Sequence, residues 1–210
     1  MRRRQFVLSL LWLPGPIVAL GAVPGCGRGK PRLPRVDGGG VILAFGDSLT
    51  FGTGAKPEES YPAVLEKLVA RKVLRSGVPG ETAAEGFARL AGVLDEAEPQ
   101  LVILCEGGND LLRRAEEGAV KESLKKSIQL IRERGTAVVL MAPPRPGVFT
   151  DIPAFYTELA NELRLPLEGQ ILKAVLSDNS LKSDLVHPNA RGYAKIAEAL
   201  AKLLRDAGAI

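Results

Sequence analysis

Apolar positions along the chain fall into two kinds of run that alternate. Val41-Ile42-Leu43-Ala44-Phe45 is continuous and stops at Gly46, Leu101-Val102-Ile103-Leu104-Cys105 is followed closely by Gly107-Gly108, and Thr136-Ala137-Val138-Val139-Leu140-Met141 is the third. Four to eight branched or aromatic apolar residues without polar interruption mark a strand buried on both faces, as in a parallel sheet. Val73-Leu74 predicts a shorter segment and Leu165-Pro166-Leu167 a short edge strand. Between these runs the apolar positions recur at helical spacing. Tyr61, Leu65 and Leu68 share a face in a helix beginning at Pro62, a residue suited to a first turn. Phe87, Leu90 and Leu94 predict a second helix that ends before Pro99, and Leu124, Ile128 and Ile131 a third. A further helix spans about Pro153 to Leu163, and the last carries Tyr193, Ile196, Leu200, Leu203 and Leu204 on one stripe. Strands alternating with helices in this way require a parallel sheet covered on both sides, a three-layer α/β/α sandwich. The first and third strands then lie side by side at its centre, and the carboxyl edge there is where such sheets bind ligands.

Composition divides the 210 residues into a leader, a tether and one domain. Met1-Arg2-Arg3-Arg4 is basic, Phe6 to Leu13 is apolar, and Pro14-Gly15-Pro16 interrupts the apolar character before Ile17 to Val23. A basic start, an apolar centre and small residues ahead of a cut predict an export signal over residues 1–25, with a permanent spanning helix as the alternative that Pro14-Gly15-Pro16 opposes. Val23-Pro24-Gly25-Cys26 resembles a bacterial lipoprotein box, which makes Cys26 a lipid-attachment site; cleavage after Gly21 or Ala22 would instead release a soluble exported protein. Arg3-Arg4-Gln5-Phe6 also resembles a twin-arginine export motif. Either route places the protein outside the cytoplasm, in the periplasm or an equivalent compartment. Residues 26–40, rich in Gly, Pro and cations, read as a flexible tether.

The net charge of +4 changes meaning once that division is made. Seven of the 28 Lys and Arg, but only one of the 24 Asp and Glu, lie in residues 1–40, which leaves residues 41–210 with 21 basic and 23 acidic residues. Nucleic-acid binding loses its electrostatic basis. Cys26 and Cys105 are remote from each other in sequence and the chain has a single histidine, so no disulfide framework or metal-ligand cluster is expected, and no cofactor.

The candidate chemistry begins at the first strand's carboxyl end, where Gly46-Asp47-Ser48 presents a hydroxyl. Gly-Asp-Ser is also an ordinary turn sequence. A serine needs a base to become a nucleophile, and the one histidine, His187, follows Asp184 by three residues in Asp184-Leu185-Val186-His187-Pro188-Asn189. A tight turn there lets the Asp184 carboxylate hold Nδ1 and leaves Nε2 for Ser48. Two further turns supply donors for a tetrahedral oxyanion. One is Ser76-Gly77-Val78-Pro79-Gly80-Glu81-Thr82, which leads into a helix capped by Thr82 and Glu85; the other is Gly107-Gly108-Asn109-Asp110.

Those blocks, in that order, resemble the GDSL or SGNH hydrolase family, and within it the bacterial thioesterase I, lysophospholipase and arylesterase group. The resemblance spans about residues 41 to 208, and takes residues 41–210 as one SGNH domain with a flavodoxin-like five-stranded parallel sheet. It implies Ser48 as nucleophile, His187 as base and Asp184 as its orienting acid, with the Ser48 amide, the Gly80 amide and the Asn109 side chain as oxyanion hole. Ser76 stands where the family usually has Asn, Pro79 is unusual beside the oxyanion glycine, and Leu185 replaces a common glycine; these departures bear on substrate preference more than on the reaction. The implied substrates are small carboxylic esters, thioesters or lysophospholipids; the lipoprotein-like box at Cys26 separately implies membrane contact through a lipid anchor. Removal of acetyl groups from polysaccharide, as other members of the superfamily perform, is the alternative enzyme reading, and a surface lipoprotein that only binds acyl ligands is the alternative outside catalysis. Phe149, in the loop after the Thr136–Met141 run, and Arg113 are further candidate substrate contacts; Glu116 and Glu117 lie near enough to Arg113 to pair with it instead.

Overall fold

The computed structural model describes residues 31–147 and 151–210. In chain order the elements are β1 (Val41–Gly46), α1 (Ser48–Phe51), α2 (Tyr61–Val69), β2 (Lys72–Gly77), α3 (Ala83–Ala97), β3 (Leu101–Cys105), α4 (Gly108–Leu112), α5 (Glu117–Glu133), β4 (Ala137–Met141), α6 (Ala154–Leu163), β5 (Leu167–Glu168), α7 (Ile171–Ser177) and α8 (Ala190–Ala207), with one-turn 3-10 helices at Pro57–Glu59 and Asn179–Leu181. The five strands form one parallel sheet in the order β2-β1-β3-β4-β5. This is the three-layer α/β fold expected, with β1 and β3 adjacent at its centre.

Alternation along the buried strands divides the core into two halves. Ile42, Ala44, Ile103, Cys105, Val139 and Met141 face one cluster, which α2, α7 and α8 cover. Leu43, Phe45, Val102, Leu104, Val138 and Leu140 face the other, under α3, α5 and α6. Because successive side chains point to opposite faces, only an uninterrupted apolar run can feed both clusters, and this is why β1 and β3 carry no polar residue.

Three expectations change. In α2 the buried positions are Tyr61, Pro62, Leu65 and Val69, while Leu68 is exposed, because a period of four from Tyr61 through Leu65 puts Val69 and not Leu68 over the sheet. The short segment at Val73-Leu74 extends to Gly77: Arg75, Ser76 and Gly77 pair in register with Ala44, Phe45 and Gly46, and half-exposed edge positions need not be apolar. The tether is held over its described part. Leu33 N donates to Ala207 O at 2.9 Å, Val36 N donates to Ala209 O at 2.8 Å, and the Val36 side chain is 1% exposed in the α2/α8 half of the core. Burial of that one valine and two backbone bonds to the chain's end anchor the stretch despite its composition. The leader, with Cys26, lies outside the described residues.

Candidate active site

At the carboxyl edge of the sheet, β1 ends at Gly46 and the chain turns at once into α1. Asp47 is the N-cap of α1: its Oδ1 accepts from Leu49 N at 2.9 Å, and this fixes the turn that presents Ser48. On the other side of the cleft, Asp184-Leu185-Val186-His187 folds into a tight turn. Asp184 Oδ1 accepts from the amides of Val186 and His187 at 2.9 and 2.8 Å, and its Oδ2 lies 2.8 Å from His187 Nδ1. His187 Nε2 is 2.9 Å from Ser48 Oγ. An imidazole thus bridges a hydroxyl and a carboxylate that are 136 residues apart in the chain. Burial alone would raise the Asp184 carboxyl, but the two backbone amides and the His187 ring outweigh it and hold the group below the usual carboxylate range.

The donor side of the site is assembled from three loops. Val78 N donates to Gly46 O at 2.9 Å and so docks the loop after β2 against the end of β1. Gly80 follows at φ 83°, a left-handed conformation that side chains other than glycine disfavour. Among the described residues, neither the Ser48 nor the Gly80 amide has a hydrogen-bond acceptor. Asn109, in the first turn of α4, reaches both of these segments: its Nδ2 donates to Glu81 O at 2.9 Å and to Asp47 Oδ2 at 3.2 Å. Gly107, at φ 99°, leaves room for the Tyr156 hydroxyl, from which a Cβ would stand 2.4 Å away, and a Cβ on Gly108 would stand 2.9 Å from Asp47 Oδ2. Ser48, Asp184, His187, Gly80 and Asn109 are therefore all brought to one edge.

The two remaining candidates fare differently. Arg113 does not line the cleft; its Nη2 donates to Gly80 O at 2.9 Å, so it braces the loop that carries the Gly80 amide and pairs with neither nearby glutamate. Glu116 caps α5 instead, and Glu117 pairs with Arg145. Phe149 lies outside the described residues.

Behind the site lies a group of buried carboxyls that the sequence did not single out: Asp47, Glu81, Glu106 and Asp110. Complete burial pushes the Asp47 carboxyl up to about 7, with Glu81 and Asp110 adding to the rise against the opposing pull of the Leu49 amide and His187. Burial, reinforced first by Asp47, also pushes Glu106 well above the carboxylate range, which keeps it uncharged. Asp110 Oδ2 accepts from Ala83 N at 2.9 Å, linking α4 to the start of α3, and Glu81 is held by Arg89. No spacing rule announces these residues, because they come from three separate turns. No group of His, Cys, Asp or Glu among the described residues has the makings of a metal site.

In front of the site is a cleft of about 770 Å³ whose wall includes Leu49, Pro79, Leu112, Pro143, Leu176 and Val186 beside Ser48 and His187. The profile of the GDSL-like lipase/acylhydrolase family matches residues 44–195 of this chain. The chain belongs to that family. An ester-hydrolysing enzyme is what membership of this acylhydrolase family makes it. The acylhydrolase is 32% identical over 177 residues to an arylesterase of Vibrio mimicus, an alignment covering 78% of this chain and 87% of the relative. It is 28% identical over 173 residues to thioesterase 1/protease 1/lysophospholipase L1 of Escherichia coli K12, covering 79% and 83%. Among solved structures it resembles TesA with a TM-score of 0.72 at 26% identity, covering 80% of this chain and 99% of that one. It also resembles AlinE4, an SGNH-hydrolase family esterase, with a TM-score of 0.63 at 31% identity, covering 82% and 98%.

Proposed function

We propose that this acylhydrolase cleaves carboxylic esters or thioesters of apolar acyl groups by way of an acyl-serine intermediate on Ser48. The observation that carries this reading is the His187 ring, within hydrogen-bond distance of Ser48 Oγ on one side and of Asp184 on the other. His187 takes the Ser48 proton as Oγ attacks the carbonyl carbon, and returns it to the leaving alcohol or thiol; Asp184 orients the ring and stabilises its charged form. Water, deprotonated by the same ring, then attacks the acyl-serine, and as the bond to Ser48 Oγ breaks the ring passes that proton to Oγ and the carboxylic acid leaves. The amides of Ser48 and Gly80 are free to meet the oxyanion. Asn109 joins them by exchanging its longer bond, to Asp47, for one to the oxyanion; near pH 7 the Asp47 carboxyl is about half neutral and a weak competitor as acceptor.

The cleft wall is mainly apolar, with Thr53, Arg145 and Lys182 as its polar side chains away from the reacting groups, and this supports an acyl chain in preference to an acetylated sugar, most of whose hydroxyls would lose water there without a partner each. We further read residues 1–25 as an export signal and Cys26 as a lipid-attachment site, on the basic start, apolar run and small residues that precede it. Ser48→Ala is expected to abolish hydrolysis of nitrophenyl esters, and Asn109→Ala to lower kcat by about 100-fold with little change in KM. Full activity in purified Ser48→Ala protein would refute the mechanism. Activity on acetylated xylan that exceeds activity on butyl and hexyl esters would refute the substrate class.

A further inference from the structure

One guanidinium behind the cleft ties together the segments that carry the oxyanion donors. Arg89, on α3, donates from Nε to Glu81 Oε1 and from Nη2 to Glu81 Oε2, both at 2.6 Å. Nη2 also donates to Ser76 O at 3.1 Å and to Gly46 O at 3.3 Å, and Nη1 donates to Ser76 Oγ at 2.7 Å. Its Cζ lies 3.9 Å from the centroid of the Phe45 ring. Gly46 is two residues before Ser48, and Glu81 follows Gly80 directly. The Glu81 carbonyl is the acceptor that holds Asn109 Nδ2. The side chain is 25% exposed and is absent from the cleft wall, so Arg89 does not meet the substrate.

We propose that Arg89 is a positioning residue for ester hydrolysis, setting the spacing of the Ser48, Gly80 and Asn109 donors by clamping Gly46, Ser76 and Glu81 into one unit. The inference rests on the reading of those three groups as the oxyanion hole. Fixed donors stabilise a developing charge only where they already point at it, and a displacement of about 1 Å costs on the order of 100-fold in rate. A planar five-donor fork stacked on an aromatic ring suits this task, and a lysine, a single point charge, does not reproduce it.

The test measures Arg89→Lys and Arg89→Ala on nitrophenyl butyrate, with turnover expressed per serine that reacts to completion with a fluorophosphonate. In both variants kcat per reactive serine is expected to fall by about 100-fold, with KM within about threefold of the parent. Added guanidinium is expected to restore about tenfold in Arg89→Ala, because the vacated space keeps the Phe45 ring and the Glu81 carboxylate and opens to solvent. A residue that only stabilises the fold would lower the melting temperature and the number of reactive serines while leaving kcat per reactive serine unchanged, and that result overturns the inference. Should Arg89→Ala fail to fold, Arg89→Lys and Glu81→Gln decide by the same measure. Ser48→Ala run alongside separates the two levels: turnover surviving in Ser48→Ala removes the reading of the site itself, whereas an inactive Ser48→Ala beside a fully active Arg89→Lys removes only the clamp.

Discussion

Asp47 holds a proton in the folded protein over a range of pH in which an unfolded chain has lost it. Burial drives this rise from the ordinary 3.8 to about 7. The sign of the linkage follows: with the folded pKa above the unfolded one, the unfolded state sheds this proton first as pH rises. The group's contribution to stability is therefore full below about pH 4, declines between about pH 4 and 7, and is level above that. Asp47→Asn keeps an acceptor for the Leu49 amide and removes the titration. Urea unfolding at pH 4.5, 6 and 8 is expected to show a shallower fall in stability for the variant than for the parent; parallel curves would contradict the burial argument. Asp184 acts with the opposite sign, since its lowered carboxyl favours the folded state above the ordinary pKa and loses that advantage as pH falls, but its half-exposed side chain keeps the effect small.

Helix α2 shows how packing refines a periodic pattern. Leu65 and Leu68 both suit an amphipathic helix, yet Leu65 is wholly buried and Leu68 is 42% exposed. Leu65→Ala is expected to cost about 2 to 5 kcal/mol by denaturant unfolding. Leu68→Ser is expected to stay within about 0.5 kcal/mol of the parent, and equal losses for the two would mean the helix is rotated from the position described. The same limit explains β2. Its inner residues could not be extended to Gly77 from hydrophobicity, because what holds Arg75 and Ser76 in the sheet is backbone pairing with β1 and the reach of Arg75 and Arg89 to neighbouring segments. Turn chemistry was more legible: Thr82 and Glu85 form the expected capping box at the start of α3, with Glu85 Oε2 accepting from Thr82 N at 2.8 Å.

Across the whole molecule, the anchoring of Leu33 and Val36 bears on how the enzyme would sit at a membrane. Leu33 is seven residues past Cys26, a span of at most about 25 Å of chain, so lipidation of Cys26 would keep the domain close to the lipid surface. The full chain expressed in a bacterial host is expected to fractionate with membranes and its Cys26→Ser variant to be soluble; membrane association that survives the substitution would assign retention to some other part of the leader. As for the architecture, continuous apolar runs alternating with amphipathic helices were enough to specify a parallel sheet with β1 and β3 at its centre, since only strands buried on both faces need such runs. Sequence also placed Ser48, Gly80, Asn109, Asp184 and His187 at the ends of elements, where short polar motifs follow apolar runs and local turn chemistry is written in adjacent residues. What tertiary structure alone decided was everything that depends on distance between remote segments: that Asn109 spends its amide hydrogens on Glu81 and Asp47, that Arg113 braces Gly80, and that Arg89 gathers Gly46, Ser76 and Glu81. Those contacts join three or four separate loops through long or buried polar side chains, whose positions carry no periodicity and whose partners are fixed only when the sheet brings the loops to one edge.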